Sequence, residues 1–165
     1  MDVHTRHKSL IAPLRAAMYD FSEQGVRAAL DTLLTPDAAV RLCHPLGETS
    51  GPDGLYDTAY APLFRAVPDL ERRDQIGMAG RTDDGADWVG CGGYYTGQFA
   101  EPWRDIPPTR HQVHLRFHEF FRFDLLNHFL ALHLGFNLSP KAKRYTLGTL
   151  FNDAVQSNKR STTDK

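Results

Sequence analysis

Residues His111–Phe123 read HQVHLRFHEFFRF and alternate with a period of two. On a strand, His111, Val113, Leu115, Phe117, Glu119, Phe121 and Phe123 share one side. Gln112, His114, Arg116, His118 and Arg122 lie mainly on the other, with Phe120 among them. The first side is apolar except for one carboxylate, Glu119. A charge buried there without a partner costs on the order of several kcal/mol. Glu119 therefore either has a partner or lines a pocket.

Two further strands precede this one. Leu70 to Arg81 and Asp87 to Gln98 carry strand-like runs, and TDDGA between them is a hairpin signal. A long loop through EPWRDIPPT then leads to His111. Farther upstream, Leu10 to Tyr19 predicts an amphipathic helix with Pro13 in its first turn. Ser22 to Leu34 predicts a second, with Ser22 as N-cap and Pro36 as its stop. Ala38 to His44 suits a short strand. Pro45, Gly47, Gly51 and Pro52 make a loop, after which Asp53 can cap a helix from Gly54 to Ala66, interrupted near Pro62. His4 and His7 fall in a frayed terminus. Helices followed by successive antiparallel strands argue for an α+β fold, with N-terminal helices packed on a curved antiparallel sheet. No internal repeat is visible.

A chain of 165 residues suits one domain with a sizeable core. With 41% hydrophobic and 24% charged residues it reads as soluble and globular. A net charge of -1 makes no electrostatic case for nucleic acid or membrane as partner. No apolar run approaches the roughly 20 residues that span a bilayer. The start, MDVHTRHKSL, lacks the apolar core of a signal peptide. Cys43 and Cys91 show no CxxC spacing, so a reduced, cytoplasmic protein is the simplest reading.

Composition changes after Phe123. Residues 1–123 hold no Asn and one Lys against twelve Arg, whereas 124–165 hold four Asn and four Lys. Basic and acidic residues number 13 and 17 before residue 124, and six and three from there on. The break points to a tail of different origin, the alternative being chance composition in a short tail. The expected organisation is one domain over 1–138 and a basic tail over 139–165, with SNKRSTTDK as a disordered end. His128 to Leu134 still alternates, so a strand is expected there beside 111–123, with DLLN as the turn.

The segments DAAVRLCHPLGETSGPDGLY, VPDLERRDQ, GGYYTGQF with IPPT, and HEFFRF follow one another within residues 10–123. As an ordered set they resemble the SnoaL-like polyketide cyclase family of the nuclear-transport-factor-2-like superfamily. The resemblance implies a sheet wrapped around helices into a cone with a deep apolar pocket, a homodimer, and no cofactor. Members include cyclases, ketosteroid isomerases, epoxide hydrolases, dehydratases and proteins that only bind, so the fold does not settle function.

The resemblance also implies a site. Glu119 stands four residues before Phe123, where ketosteroid-isomerase-like members carry an acid that donates a hydrogen bond to an oxyanion. Apolar surroundings favour the neutral, donating form. The other reading of Glu119 is a buried acid paired with an Arg or a backbone amide. His44, in LCHPLG, stands where the isomerases place an acidic general base just before Pro, and imidazole can shuttle a proton near neutrality. Its alternative is a capping or solvent-facing His. Tyr19 lies near the isomerases' oxyanion Tyr, although a helix-face Tyr is more often core. Trp88, Tyr94, Tyr95, Phe117 and Phe121 are candidates for the wall of a pocket that takes a small apolar substrate, such as a polyketide-like or steroid-like ketone.

Other groupings dissolve. His114 and His118 would stand about 13 Å apart on a strand and cannot share one ion, so no metal is expected. Gly90, Gly92 and Gly93 precede no helix and form no phosphate loop; they let a strand bend. ERRD at 71–74 reads as a solvated or interface stretch. Phe136-Asn137 falls near the Trp-Asp whose acid serves the cyclases, and an amide cannot transfer a proton as a carboxyl does. Two functions remain: a cyclase- or isomerase-type enzyme, or a non-catalytic binder or decayed member.

Overall fold

A computed structural model describes residues 2–123 and 129–137, the last nine by their backbone. Six strands form its sheet: β1 (Leu34–Leu42), β2 (Glu48–Ser50), β3 (Glu71–Arg81), β4 (Asp87–Gln98), β5 (Gln112–Phe123) and β6 (Phe129–Asn137). Their order is β2-β1-β6-β5-β4-β3. Pairing is antiparallel throughout except between β1 and β6, which run parallel. The expected strand near 128–134 is thus present as β6, and it fills the gap between β1 and β5. The DLLN turn, His128, the boundary at 138 and the tail 139–165 lie outside the described residues.

Alternation becomes burial along the meander. On β5 the buried set is Leu115, Phe117, Glu119, Phe121 and Phe123, and on β4 it includes Val89, Cys91 and Tyr95. The register sets Cys91 opposite Glu119 and Tyr95 opposite Leu115, so these side chains share the inner face. β3 carries a bulge at Gln75, between the pairs Asp74–Gly93 and Ile76–Gly92. The extra residue leaves Arg72 and Asp74 on the inner face and turns Ile76 and Met78 outward. Gly93 is required here, because a Cβ would run into the carbonyl of Arg73.

Five α-helices cover the inner face. The expected helix from Leu10 to Tyr19 is two: α1 (Val3–Leu10) and α2 (Ala12–Tyr19). Pro13 lacks the N–H that would continue α1 and instead sits in the first turn of α2. The terminus is not frayed. Asp2 caps α1 by accepting from the Thr5 amide at 3.3 Å, and His7 is buried with its ring stacked 4.8 Å from that of Phe123. Ser22 caps α3 (Glu23–Leu33) through the Gly25 amide at 3.2 Å, an interaction worth about 1 kcal/mol. The helix ends at Leu33, and Pro36, expected as its stop, lies inside β1, in an irregular stretch between the pairs Leu34–Phe129 and Ala39–Ala131.

The expected interruption near Pro62 takes the form of a π-helical turn. α4 (Gly51–Leu55) leads through a π-helical turn, Tyr56–Tyr60, into α5 (Ala61–Ala66). The wider turn, closed by the Ala61 amide on the Tyr56 carbonyl, accommodates the N–H that Pro62 lacks. It also turns Tyr60 fully into the core. Among the described residues, no helix is long and apolar enough to cross a membrane.

Candidate functional site

Glu119 has a partner, and it comes from the stretch that reads as solvated. Arg72 of β3 lies opposite Tyr95 of β4, and its Nη1 reaches Glu119 Oε2 at 2.8 Å. Both side chains are wholly buried. The Tyr95 hydroxyl accepts from Arg72 Nη1 at 3.1 Å and donates to Glu119 Oε1 at 3.1 Å. The Tyr60 hydroxyl donates to the same Oε1 at 3.4 Å. Below the guanidinium lies the Phe117 ring, 4.2 Å from its centre. On its other side Arg72 grips Asp74: Nε and Nη2 both donate to Oδ1, at 3.1 and 3.0 Å. One guanidinium thus joins two carboxylates, one sealed and one at the margin of solvent.

Electrostatics follow from this enclosure. Burial pulls the Arg72 pKa down, but the charge of Glu119 and the hydrogen bonds and charge of Asp74 outweigh it and leave the value raised. Burial first, then the Glu119 charge, push both Tyr60 and Tyr95 well above the ordinary phenol value. Both therefore stay protonated donors across the usual range. Glu119 Oε1 accepts from both phenols, and Oε2 lies against the Arg72 cation without a hydrogen bond of its own, an arrangement unlike the donating acid of the isomerase-like layout.

The remaining candidates are placed elsewhere. His44 is exposed in the turn between β1 and β2, two residues past Leu42. Tyr19 is 55% exposed at the end of α2, with the Arg73 guanidinium 5.8 Å from its ring. It borders an open surface cleft of about 580 Å³ with Asp20, Phe21, Asp69, Leu70 and Glu71. Neither residue joins Glu119. Tyr95, Phe117 and Phe121 are buried on the inner face, but Trp88 and Tyr94 are not with them. Neighbours on a strand point to opposite faces, so Tyr94 and Tyr95 cannot line one cavity. Trp88 and Tyr94 sit outside, beneath Arg122 and Arg116 at 5.9 and 5.7 Å. Among the described residues, no group of three His, Cys, Asp or Glu side chains is placed to hold a metal ion.

Arg72, Asp74 and Tyr60 escaped sequence reasoning. The signal for Arg72 was the demand itself: a carboxylate on an apolar face calls for an arginine at inner-face parity, and Leu70-Arg72-Asp74 supplies one.

No family model and no curated relative matches the chain. Solved structures do. A candidate SnoaL-like polyketide cyclase from Jannaschia sp. CCS1 superposes with a TM-score of 0.67 at 18% identity, covering 83% of this chain and 89% of that one. IdmH, a candidate polyketide cyclase from Streptomyces antibioticus, gives 0.59 at 18% over 78% and 90%. An NTF2-like protein from Burkholderia thailandensis gives 0.57 at 16% over 79% and 90%. The chain has the SnoaL-like, nuclear-transport-factor-2-like fold. Within this fold, the Arg72–Glu119 pair lies on the inner face of the sheet, enclosed by the helices.

Proposed function

We propose that this SnoaL-like protein is a small-molecule acid–base enzyme of the cyclase or isomerase type, acting on an apolar ketone of polyketide-like or steroid-like character. The observation that carries this reading is the convergence of two phenol hydroxyls and one guanidinium on a single enclosed carboxylate. Glu119 is the group that would take a proton from the carbon beside a carbonyl. Tyr60 and Tyr95 would donate to the oxygen on which negative charge then develops. Arg72 and Asp74 hold the pair in place. The same cluster suits addition of water to a strained ring: Glu119 would deprotonate the water, a phenol of Tyr60 or Tyr95 would give its proton to the departing oxygen, and the proton gained by Glu119 would return to that phenol. A screen of polycyclic ketones and apolar epoxides, followed by deuterium exchange at the ketones' α-carbons, tests the reading. Turnover that Glu119→Gln removes while ligand affinity persists supports it; turnover indifferent to Glu119 sinks it.

A second reading, a non-catalytic or decayed member, draws on the sealed state of the cluster and on the exposure of His44 and Tyr19. Ligand binding without turnover across the same panel would favour it.

The outer face supports a homodimer. Ile76 and Met78 are 52% and 53% exposed beside the half-buried Trp88, Tyr94 and Phe120. An apolar patch of that kind on a sheet suits a self-complementary contact. Cys43 and Cys91 are both thiols, which supports a reducing, cytoplasmic setting.

A further inference from the structure

Arg72, Glu119, Tyr60 and Tyr95 are shut off from solvent, so whatever reaches them requires part of the shell to open. We propose that α1 and α2 form a movable cover over this centre, latched by the ion pair between Arg15 and Asp74.

The first ground is topological. Every strand of the sheet begins at Leu34 or later, so residues 2–20 contribute nothing to the ladder. Among the described residues, the backbone hydrogen bonds at the ends of these helices close within the segment: Arg6 N to Asp2 O, Arg15 N to Ile11 O and Asp20 N to Ala16 O. The segment can swing away at Asp20–Ser22 without breaking a strand pair.

The second ground is anchorage. α1 buries one of its eight residues, His7, against Phe123. Ile11 at the junction and Leu14 and Met18 on α2 hold the other half. Ile11, Leu14 and Met18 are themselves 0–1% exposed, but the helical run over 51–66 buries twice as many apolar residues, Leu55, Tyr56, Ala59, Tyr60, Leu63 and Ala66, so α1 and α2 are the less anchored of the two. Elements with little buried apolar surface open first.

The third ground is the latch. Arg15 Nε lies 3.1 Å from Asp74 Oδ2, on the carboxylate that also holds Arg72. Its two side chains are 35% and 22% exposed, whereas Arg72 behind them is at 0%. Water reaches the latch but not the centre. α2 packs against β3, and α1 against β3 and β4, so the two helices lie over the part of the inner face that carries Arg72 and Cys91.

Cys91 makes the proposal measurable. It is 4% exposed, and burial pushes its thiol up to about 11, so it reacts only when uncovered. In a Cys43→Ser chain it is the sole cysteine. Its labelling by an aromatic disulfide reagent is followed in rising urea, next to global unfolding. The expected result is an opening with a much smaller urea dependence than unfolding, shared by the amides of 3–19 in hydrogen exchange. Arg15→Ala should speed labelling about three- to fivefold, and Arg15→Lys should keep it near the parent rate. Labelling that tracks global unfolding in both urea dependence and free energy would overturn the proposal. So would an Arg15→Ala rate equal to the parent's. No substrate enters the experiment, so its outcome is independent of the activity screen.

Discussion

Arg72 Nη1 lies 2.8 Å from Glu119 Oε2 with both side chains enclosed, so the charge on the β5 apolar face is answered by one from the edge strand β3. Removing Arg72 leaves Glu119 without a cation inside the core, and removing Glu119 leaves the buried Arg72 with Asp74 as its one carboxylate. Arg72→Met or Glu119→Leu alone should cost about 3–5 kcal/mol. The double variant should recover most of that loss, because two apolar side chains need no partner. Urea unfolding of the three variants checks this, and a double variant as unstable as the worse single one would mean the ion pair is not the source of the cost.

The two tyrosines should differ in weight. Tyr95 donates to Glu119 at 3.1 Å and accepts from Arg72, whereas Tyr60 makes one bond of 3.4 Å. Tyr95→Phe should destabilise by about 1–3 kcal/mol and Tyr60→Phe by less, about 1 kcal/mol. Equal losses would show that the hydroxyl bonds do not set the order.

The centre should also announce itself at high pH. The native pKa of Tyr60 and Tyr95 is raised, by burial first and then by Glu119. Such groups contribute stability that is complete below the unfolded value near pH ~10 and lost as pH climbs through the native values. Tyr60 and Tyr95 should ionise only as the protein unfolds, giving a late step in tyrosinate absorbance. That step should shrink in Tyr95→Phe. Ionisation of both tyrosines near pH ~10 with the fold intact would mean water reaches the centre.

On the outer face, Met78→Asp puts a charge beside Ile76 and the Gly90 strand segment, in a patch with no inner-core role. Light scattering should show a parent dimer and a monomeric variant with nearly unchanged unfolding in urea. A monomeric parent would remove the self-association proposal.

Much of this fold is legible in the sequence. β3, β4 and β5 begin within a residue of where Leu70, Asp87 and His111 place them, because a sheet with one buried face must alternate. The inward direction of Glu119 follows from the same alternation. What stayed hidden depends on contacts between distant residues. Parity with the buried Leu70 sends Arg72 inward and Arg73 outward, but its meeting with Glu119 depends on the pairing of β3 with β4 and of β4 with β5 in this register. α1 is polar along most of its length and gains its place from one ring stack, His7 on Phe123. Trp88 and Tyr94 are pocket-wall candidates in the sequence, although parity with Tyr95 sends both outward.

The position of β6 shapes the birth of the molecule. This strand is the last of the six to be made, yet it belongs in the middle, between β1 and β5. As the chain emerges from the ribosome, the β2–β1 pair and the β3–β4–β5 meander are both complete while nothing joins them. Each then offers an unpaired edge to any passing strand. Translation from Phe123 to Asn137 takes on the order of a second, and for that interval the nascent protein is two adhesive half-sheets. Slow codons or a stall in this stretch would prolong the exposure, so yield in the cell should respond to the translation speed of residues 124–137 even when the protein sequence is unchanged.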